Sequence, residues 1–174
     1  MSTLARLDPH TKQGYRAVIE TPQGSRHKIK FVQDDDFFEV ARPLPAGMSF
    51  PFDFGFIPRT RAADGDPLDV LVLMDGPAFP GCVVEIRVLG VIEAEQTERS
   101  GETVRNDRLI AVAAASTERG DLRGLEDLAP QLLGEIESFF RVFNELHGKG
   151  FRPLRRRGPK RAVALIKLAE RPMD

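Results

Sequence analysis

Three carboxylates fall within six residues at Asp64-Gly65-Asp66-Pro67-Leu68-Asp69, and the apolar run Leu68–Met74 (LDVLVLM) begins before the segment ends. Gly65 and Pro67 impose a tight backbone on the loop. In the extended run, Asp69 shares a face with Leu71 and Leu73, while Val70 and Val72 point the other way. A carboxylate at the head of such a strand is costly to bury unless a cation satisfies it. Hard oxygen donors clustered in this way suit Mg²⁺ or Mn²⁺. The same letters also spell an acidic turn before a strand, because Asp, Gly and Pro are ordinary turn residues. A calcium-binding EF-hand is the weaker alternative, because the acidic residues are spaced 1, 3, 6 and a strand rather than a helix follows.

A second group of residues could complement the first. Lys28, Lys30, Arg42, Arg59, Arg61 and Arg108 precede, sit in or follow β-like runs. Phosphate sites need such cations, and arginine can offer two donors to one oxyanion. Each alone also reads as a solvated surface charge. His10, His27 and His147 have no metal-ligand spacing, and no phosphate-binding glycine loop or nucleophile elbow is present. Cys82 opens an apolar run and reads as core.

The elements that must position these residues are mostly short strands. Tyr15–Glu20, Lys28–Val32 and Phe37–Arg42 read as strands separated by turns at Thr21–Ser25 and Asp34–Asp36. Residues 43–63 carry four prolines and two glycines and read as irregular, yet their phenylalanines require packing. A packed irregular segment of this kind is often functional. After Leu68–Met74 come Cys82–Glu93, with a bend at Gly90, a hairpin in Arg99–Asn106 turning at Ser100-Gly101, and Arg108–Ala114. Leu132, Leu133, Ile136, Phe139, Phe140, Phe143 and Leu146 then recur at helical spacing, giving a helix over 127–146 with Pro130 in its first turn. Pro159–Glu170 reads as a second helix, with a strand as the alternative. Arg152–Lys160 reads as a solvated basic loop or as extra phosphate-binding charge. Short strands followed by helices indicate an α+β fold, a small closed or half-closed barrel with helices packed on it.

Bulk properties narrow the function. The 174 residues form one domain spanning 1–174, with residues 1–13 read as loosely ordered. The net charge of −1 gives no global attraction to nucleic acid or to a membrane surface. One cysteine allows no disulfide within the chain and suits a reducing cytoplasm. No stretch approaches the roughly 20 apolar residues of a membrane span.

From Tyr15 to about Gly150 the chain resembles the soluble, Mg²⁺-dependent inorganic pyrophosphatases. Asp64–Val70 (DGDPLDV) matches that family's signature. Val18–Pro22 is similar to its early strand and turn, and Phe54–Pro58 stands where it has a Tyr-Gly-Tyr/Phe-Ile segment; Gly90–Ile92 and Leu109–Val112 also fit. The resemblance implies a small five-stranded OB-like barrel with C-terminal helices packed outside, and a homo-oligomer, often a hexamer. It implies hydrolysis of pyrophosphate to two phosphates by a metal-activated water, with Mg²⁺ (or Mn²⁺) as cofactor. Asp64 and Asp69 would hold the principal metal with a later carboxylate. Asp66 would be the general base beside the metal, and Glu20 would anchor further metal. Lys28, Arg42 and Arg108 would grip the phosphates.

The chain departs from the family pattern at several of these places. Lys30 replaces a glutamate, and Asn106 replaces a metal-binding aspartate two residues before Arg108, which itself replaces a lysine. Asp107 is adjacent but should face the other way on a strand. Glu95, Glu98 or Glu102 could substitute for an acidic residue of the lengthened hairpin. Phe50 and Phe54 replace tyrosines, and Phe143 and Asn144 replace a Tyr-Lys pair that binds phosphate. Each lost hydrogen bond to a charged group costs about 1.5–3 kcal/mol. The readings carried forward are therefore pyrophosphate hydrolysis, hydrolysis of another phosphoanhydride on the same scaffold, and a non-catalytic binding protein of the same fold.

Overall fold

A computed structural model describes residues 4–172. Nine strands and two α-helices run in the order β1 (Tyr15–Thr21), β2 (His27–Val32), β3 (Phe37–Pro43), β4 (Asp53–Phe56), β5 (Asp69–Leu73), β6 (Val83–Thr97), β7 (Thr103–Arg105), β8 (Arg108–Ala113), α1 (Pro130–Glu145), β9 (Gly150–Arg157) and α2 (Pro159–Ala169).

Strand β1 pairs with β4, β4 with β5, β5 with β8, β8 with β6, and β6 returns to β1. That circuit is a closed ring of five strands, the small barrel expected from the sequence; closure leaves none of the five as a bare edge. Only the β5–β8 contact is parallel. The ring strands are buried on both faces. Val70 and Val72 of β5 share a cluster with Ile19, Val91, Leu109 and Ala111, against which α2 sets Ala162 and Ile166. Leu71 and Leu73 join Phe54, Ile92, Ile110 and Val112, against which α1 sets Leu133, Ile136 and Phe140. The apolar spacing of both helices thus faces the ring directly.

Strands β2 and β3 form a separate two-stranded hairpin. It is tied to the ring by Thr21, whose Oγ1 accepts from Ile29 N at 3.0 Å and donates to Ile29 O at 2.8 Å. Leu4, Ala5 and Leu7 of the opening segment pack against the cluster of Val18, Phe31 and Phe56.

Several sequence readings need correction. The irregular segment 43–63 contains β4. Gly55 makes it possible: a Cβ there would lie 1.9 Å from Val18 O of the paired strand. The basic run Arg152–Lys160 is not a loop, since its first part lies in β9, paired antiparallel to β6, and Pro159 and Lys160 open α2. The helix expected from residue 127 starts at Pro130, and Leu125–Asp127 is a separate 3₁₀ turn. Pro159–Ala169 is helical, which removes the strand alternative. The bend at Gly90 is a register shift between Val88 and Gly90 in the β6–β8 ladder.

Candidate active site

The Asp64–Asp69 loop is held rigidly from both sides. Gly65 has a φ of 91°, a conformation that favours glycine. Ala62 N donates to Asp66 O at 2.7 Å, and Asp66 N donates to Asp64 Oδ1 at 3.1 Å. Leu68 N donates to Thr60 Oγ1 at 3.0 Å, so the exit toward β5 is anchored in the core. Asp64 and Asp66 are thereby presented at the mouth of a cavity of about 210 Å³, and Asp69 at the head of β5 joins them.

The other walls come from elements distant in sequence. Glu20 stands next to the end of β1, Lys28 and Lys30 on β2, Arg42 on β3 and Arg108 at the start of β8. All seven of the site residues expected from the sequence (Glu20, Lys28, Arg42, Asp64, Asp66, Asp69 and Arg108) line this one cavity, and so does Lys30. Arg59 and Arg61 do not; they line a shallower neighbouring depression.

Burial and charge set the chemistry. Glu20 is 7% exposed and its Oε1 accepts from Phe31 N at 2.8 Å. Burial raises its pKa, opposed by Lys28, whose Nζ lies 3.6 Å from Glu20 Oε2. Burial likewise lowers the Lys28 pKa, against the pull of Glu20. Lys28 Nζ also sits 3.8 Å from the Phe54 ring centroid, a cation–π contact. Arg42 lies over Phe143, and Arg108 over Phe140. These phenyl rings support the cations and have no hydroxyl to donate to a ligand. Lys28 and Arg42 are register partners on β2 and β3. Like charges on one rung are unfavourable alone, which makes the rung a natural place for an anion.

Asp64 fits a metal. Its pKa is raised, first by burial and then by the negative charge of Asp69, with a smaller contribution from Asp66. Crowded, partly desolvated carboxylates with no nitrogen or sulfur donor among them are the ligand chemistry of a hard divalent ion. The four carboxylates do not otherwise converge: among the described residues no three acidic, His or Cys side chains form a ready ligand cluster. The reason is their cationic neighbours. Arg108 Nη1 lies 2.6 Å from Asp69 Oδ2, and Lys30 Nζ lies 3.5 Å from Asp66 Oδ2.

Among the described residues no later carboxylate joins the cavity. Asn106 lines it, with its Oδ1 accepting from Arg108 Nη1 and its Nδ2 donating to Gln96 Oε1 at 3.1 Å. Asp107, in the link between β7 and β8, is not part of the cavity lining and accepts from Ala94 N at 2.9 Å and Arg105 Nη2 at 2.8 Å. Of the candidate substitutes, Glu95 pairs with Arg152, Glu98 with Lys149, and none of Glu95, Glu98 and Glu102 lines the cavity. The hairpin residue that does is Gln96, which the sequence reading missed, along with Gln33 and Lys149. Alternation along β6 could have nominated Gln96, two residues from Ala94, had its register been known. From the run Arg152–Lys160, no residue lines the cavity.

Comparison with known proteins fits this geometry. The Pyrophosphatase family model, described as inorganic pyrophosphatase, matches residues 17–173. An inorganic pyrophosphatase of Synechocystis is 38% identical over 147 residues, 84% of each chain. One from Geobacillus stearothermophilus is 37% identical over 150 residues, 86% of this chain and 88% of its own. The crystal structure of inorganic pyrophosphatase from Thermus thermophilus superposes with a TM-score of 0.88 at 32% identity, covering 97% of both chains. On the family match over most of its length, the sequence identity to these relatives and the shared fold, the chain belongs to the inorganic pyrophosphatase family.

Proposed function

We propose that the chain is a metal-dependent hydrolase that splits inorganic pyrophosphate into two phosphates. The observation that carries this reading is the convergence of Asp64, Asp66 and Asp69 with Lys28, Arg42 and Arg108 on one small cavity. Its volume of about 210 Å³ has room for a compact inorganic anion.

In this reading the facing cations Lys28 and Arg42 grip one phosphoryl group and Arg108 another, placing positive charge where it builds up on the oxygens during transfer. Asp66, the most exposed of the aspartates that pair with a cation, takes the proton from the attacking water. Asp64 and Asp69 would hold Mg²⁺, or Mn²⁺ in its place, with Glu20 behind them. Bound there, the ion supplies charge against the phosphoryl oxygens and lowers the pKa of water. A cytoplasmic location suits the free thiol of Cys82. Among the described residues no helix is long and apolar enough to cross a membrane. Assembly into a homo-oligomer belongs to the same proposal, with light scattering as its check.

One observation favours a second substrate. Phe50, Phe54, Phe143 and Asn144 line the cavity where a pyrophosphate clamp would use phenols and a lysine, and Lys30 adds charge at its mouth. A different phosphoanhydride would use that charge without the clamp. Phosphate release from pyrophosphate and from a panel of nucleoside and inorganic polyphosphates, with Mg²⁺ or Mn²⁺, separates the two. Turnover of none of them, with no metal binding by calorimetry, would leave only the non-catalytic binding protein.

A further inference from the structure

The charge of the cavity wall carries a conclusion about how many metal ions the site needs, and it rests on the pyrophosphatase reading above. Four carboxylates line the cavity, Glu20, Asp64, Asp66 and Asp69, against five cations, Lys28, Lys30, Arg42, Arg108 and Lys149. The remaining polar wall is made of neutral amides, Gln33, Gln96, Asn106 and Asn144. Lys149 is already paired at 2.7 Å with Glu98 outside the cavity, so the wall carries no net negative charge before any metal is added. Mg²⁺ is held by one or two protein carboxylates together with substrate phosphates, so each further ion needs a carboxylate that is not already paired with a cation.

Lys30 is placed to make the difference. It stands on β2, in register opposite Glu39 of β3, yet its Nζ reaches toward Asp66. Its side chain is 49% exposed, so the ammonium is at the cavity mouth with donors left for a ligand. A divalent ion brought between Asp66 and a bound phosphate would meet this fixed positive charge. Arg108 is similarly fixed at Asp69 by its salt bridge and by Asn106.

We infer that Lys30 replaces a divalent ion in holding the substrate, so that the cavity binds pyrophosphate-class anions with a single metal, at Asp64 and Asp69, and keeps substantial affinity with none. Lys30 is then a substrate-binding residue whose charge is built into the chain, and anion affinity is decoupled from the metal concentration.

Calorimetry with methylenediphosphonate, a non-hydrolysable analogue of pyrophosphate, tests this on the full chain. In excess EDTA the wild-type protein binds the analogue no more than about tenfold more weakly than in saturating Mg²⁺, and direct titration finds one Mg²⁺ per chain. Lys30→Glu weakens binding in EDTA by roughly tenfold or more and raises the Mg²⁺ stoichiometry above one, while Lys30→Gln weakens EDTA binding without adding a metal. Binding of the analogue only when Mg²⁺ is present, or two or more Mg²⁺ per wild-type chain, overturns the inference. If that happens while pyrophosphate is still hydrolysed, the pyrophosphatase reading stands and the role given to Lys30 falls. If the analogue binds in neither condition, both fall.

Discussion

Asp69 and Arg108 face each other on the same rung of the parallel β5–β8 ladder, and the Arg108 guanidinium reaches the Asp69 carboxylate at 2.6 Å. A proposed metal ligand and a proposed phosphate cation are therefore fixed to one backbone register. The pair is mostly shielded from solvent, with side chains 6% and 22% exposed. Each charge depends on the other, because removing one partner of a buried pair leaves the other uncompensated.

Arg108→Gln should accordingly act twice. Loss of a charged contact to phosphate lowers kcat/KM by roughly 10- to 150-fold. Leaving Asp69 unpaired lowers Tm in EDTA, and Mg²⁺ recovers part of that loss by taking the place of the guanidinium. Steady-state kinetics and thermal melts with and without Mg²⁺ check both effects. A Tm unchanged in EDTA would show that the pair carries no stability.

The raised pKa of Asp64 links stability, pH and metal. Its ordinary value is 3.8, and burial with the neighbouring Asp69 raises it in the folded chain. Ionisation therefore costs more folded than unfolded. The stability Asp64 contributes is complete below 3.8 and is lost as pH rises through the higher folded value. Without metal, wild type should lose stability relative to Asp64→Asn across that window. Added Mg²⁺ should reverse the sign, with a Tm gain that is small near pH 4 and grows as the carboxylate ionises. Calorimetric melts from about pH 4 to 7 measure this; parallel curves for the two proteins in EDTA would refute it.

Lys30→Glu combined with Asn106→Asp restores two carboxylates to the cavity wall. Mg²⁺-supported pyrophosphate turnover should rise roughly tenfold or more, and its Mg²⁺ dependence should become steeper. The two sites share a cavity, so the double variant should exceed the product of the singles. No gain from the double variant would mean that these departures do not limit the reaction.

How legible all this was in the sequence varied by element. The β5 run and the aspartate loop were readable because local spacing alone defines them. β4 was hidden by the prolines that flank it, Pro51 and Pro58: it is four residues long and depends on Gly55 passing against Val18, a contact between strands far apart in sequence. β9 was hidden by its arginines and Pro153. On β6 the register sets Glu93 opposite Arg155 and Glu95 opposite Arg152, and the ladder shifts between Glu93 and Ala94, next to Pro153. Cross-strand charge pairs and a bulge make such a strand favourable only once its partner is known. The same holds for the site. The aspartates and the cations of β2, β3 and β8 could be named in advance, but Gln96 was invisible until the length of the β6–β7 hairpin fixed which residue faces inward.

The central claim is that this cavity hydrolyses pyrophosphate with Asp66 taking the proton from water. Asp66 is largely exposed, with its side chain 60% accessible, so Asp66→Asn should fold and melt as wild type does. Phosphate release from pyrophosphate in Mg²⁺ by the two proteins is the most direct measurement. Clear turnover by wild type and a loss of at least about 100-fold in Asp66→Asn are expected. Equal rates in the two proteins, or no phosphate release by wild type, would contradict that claim.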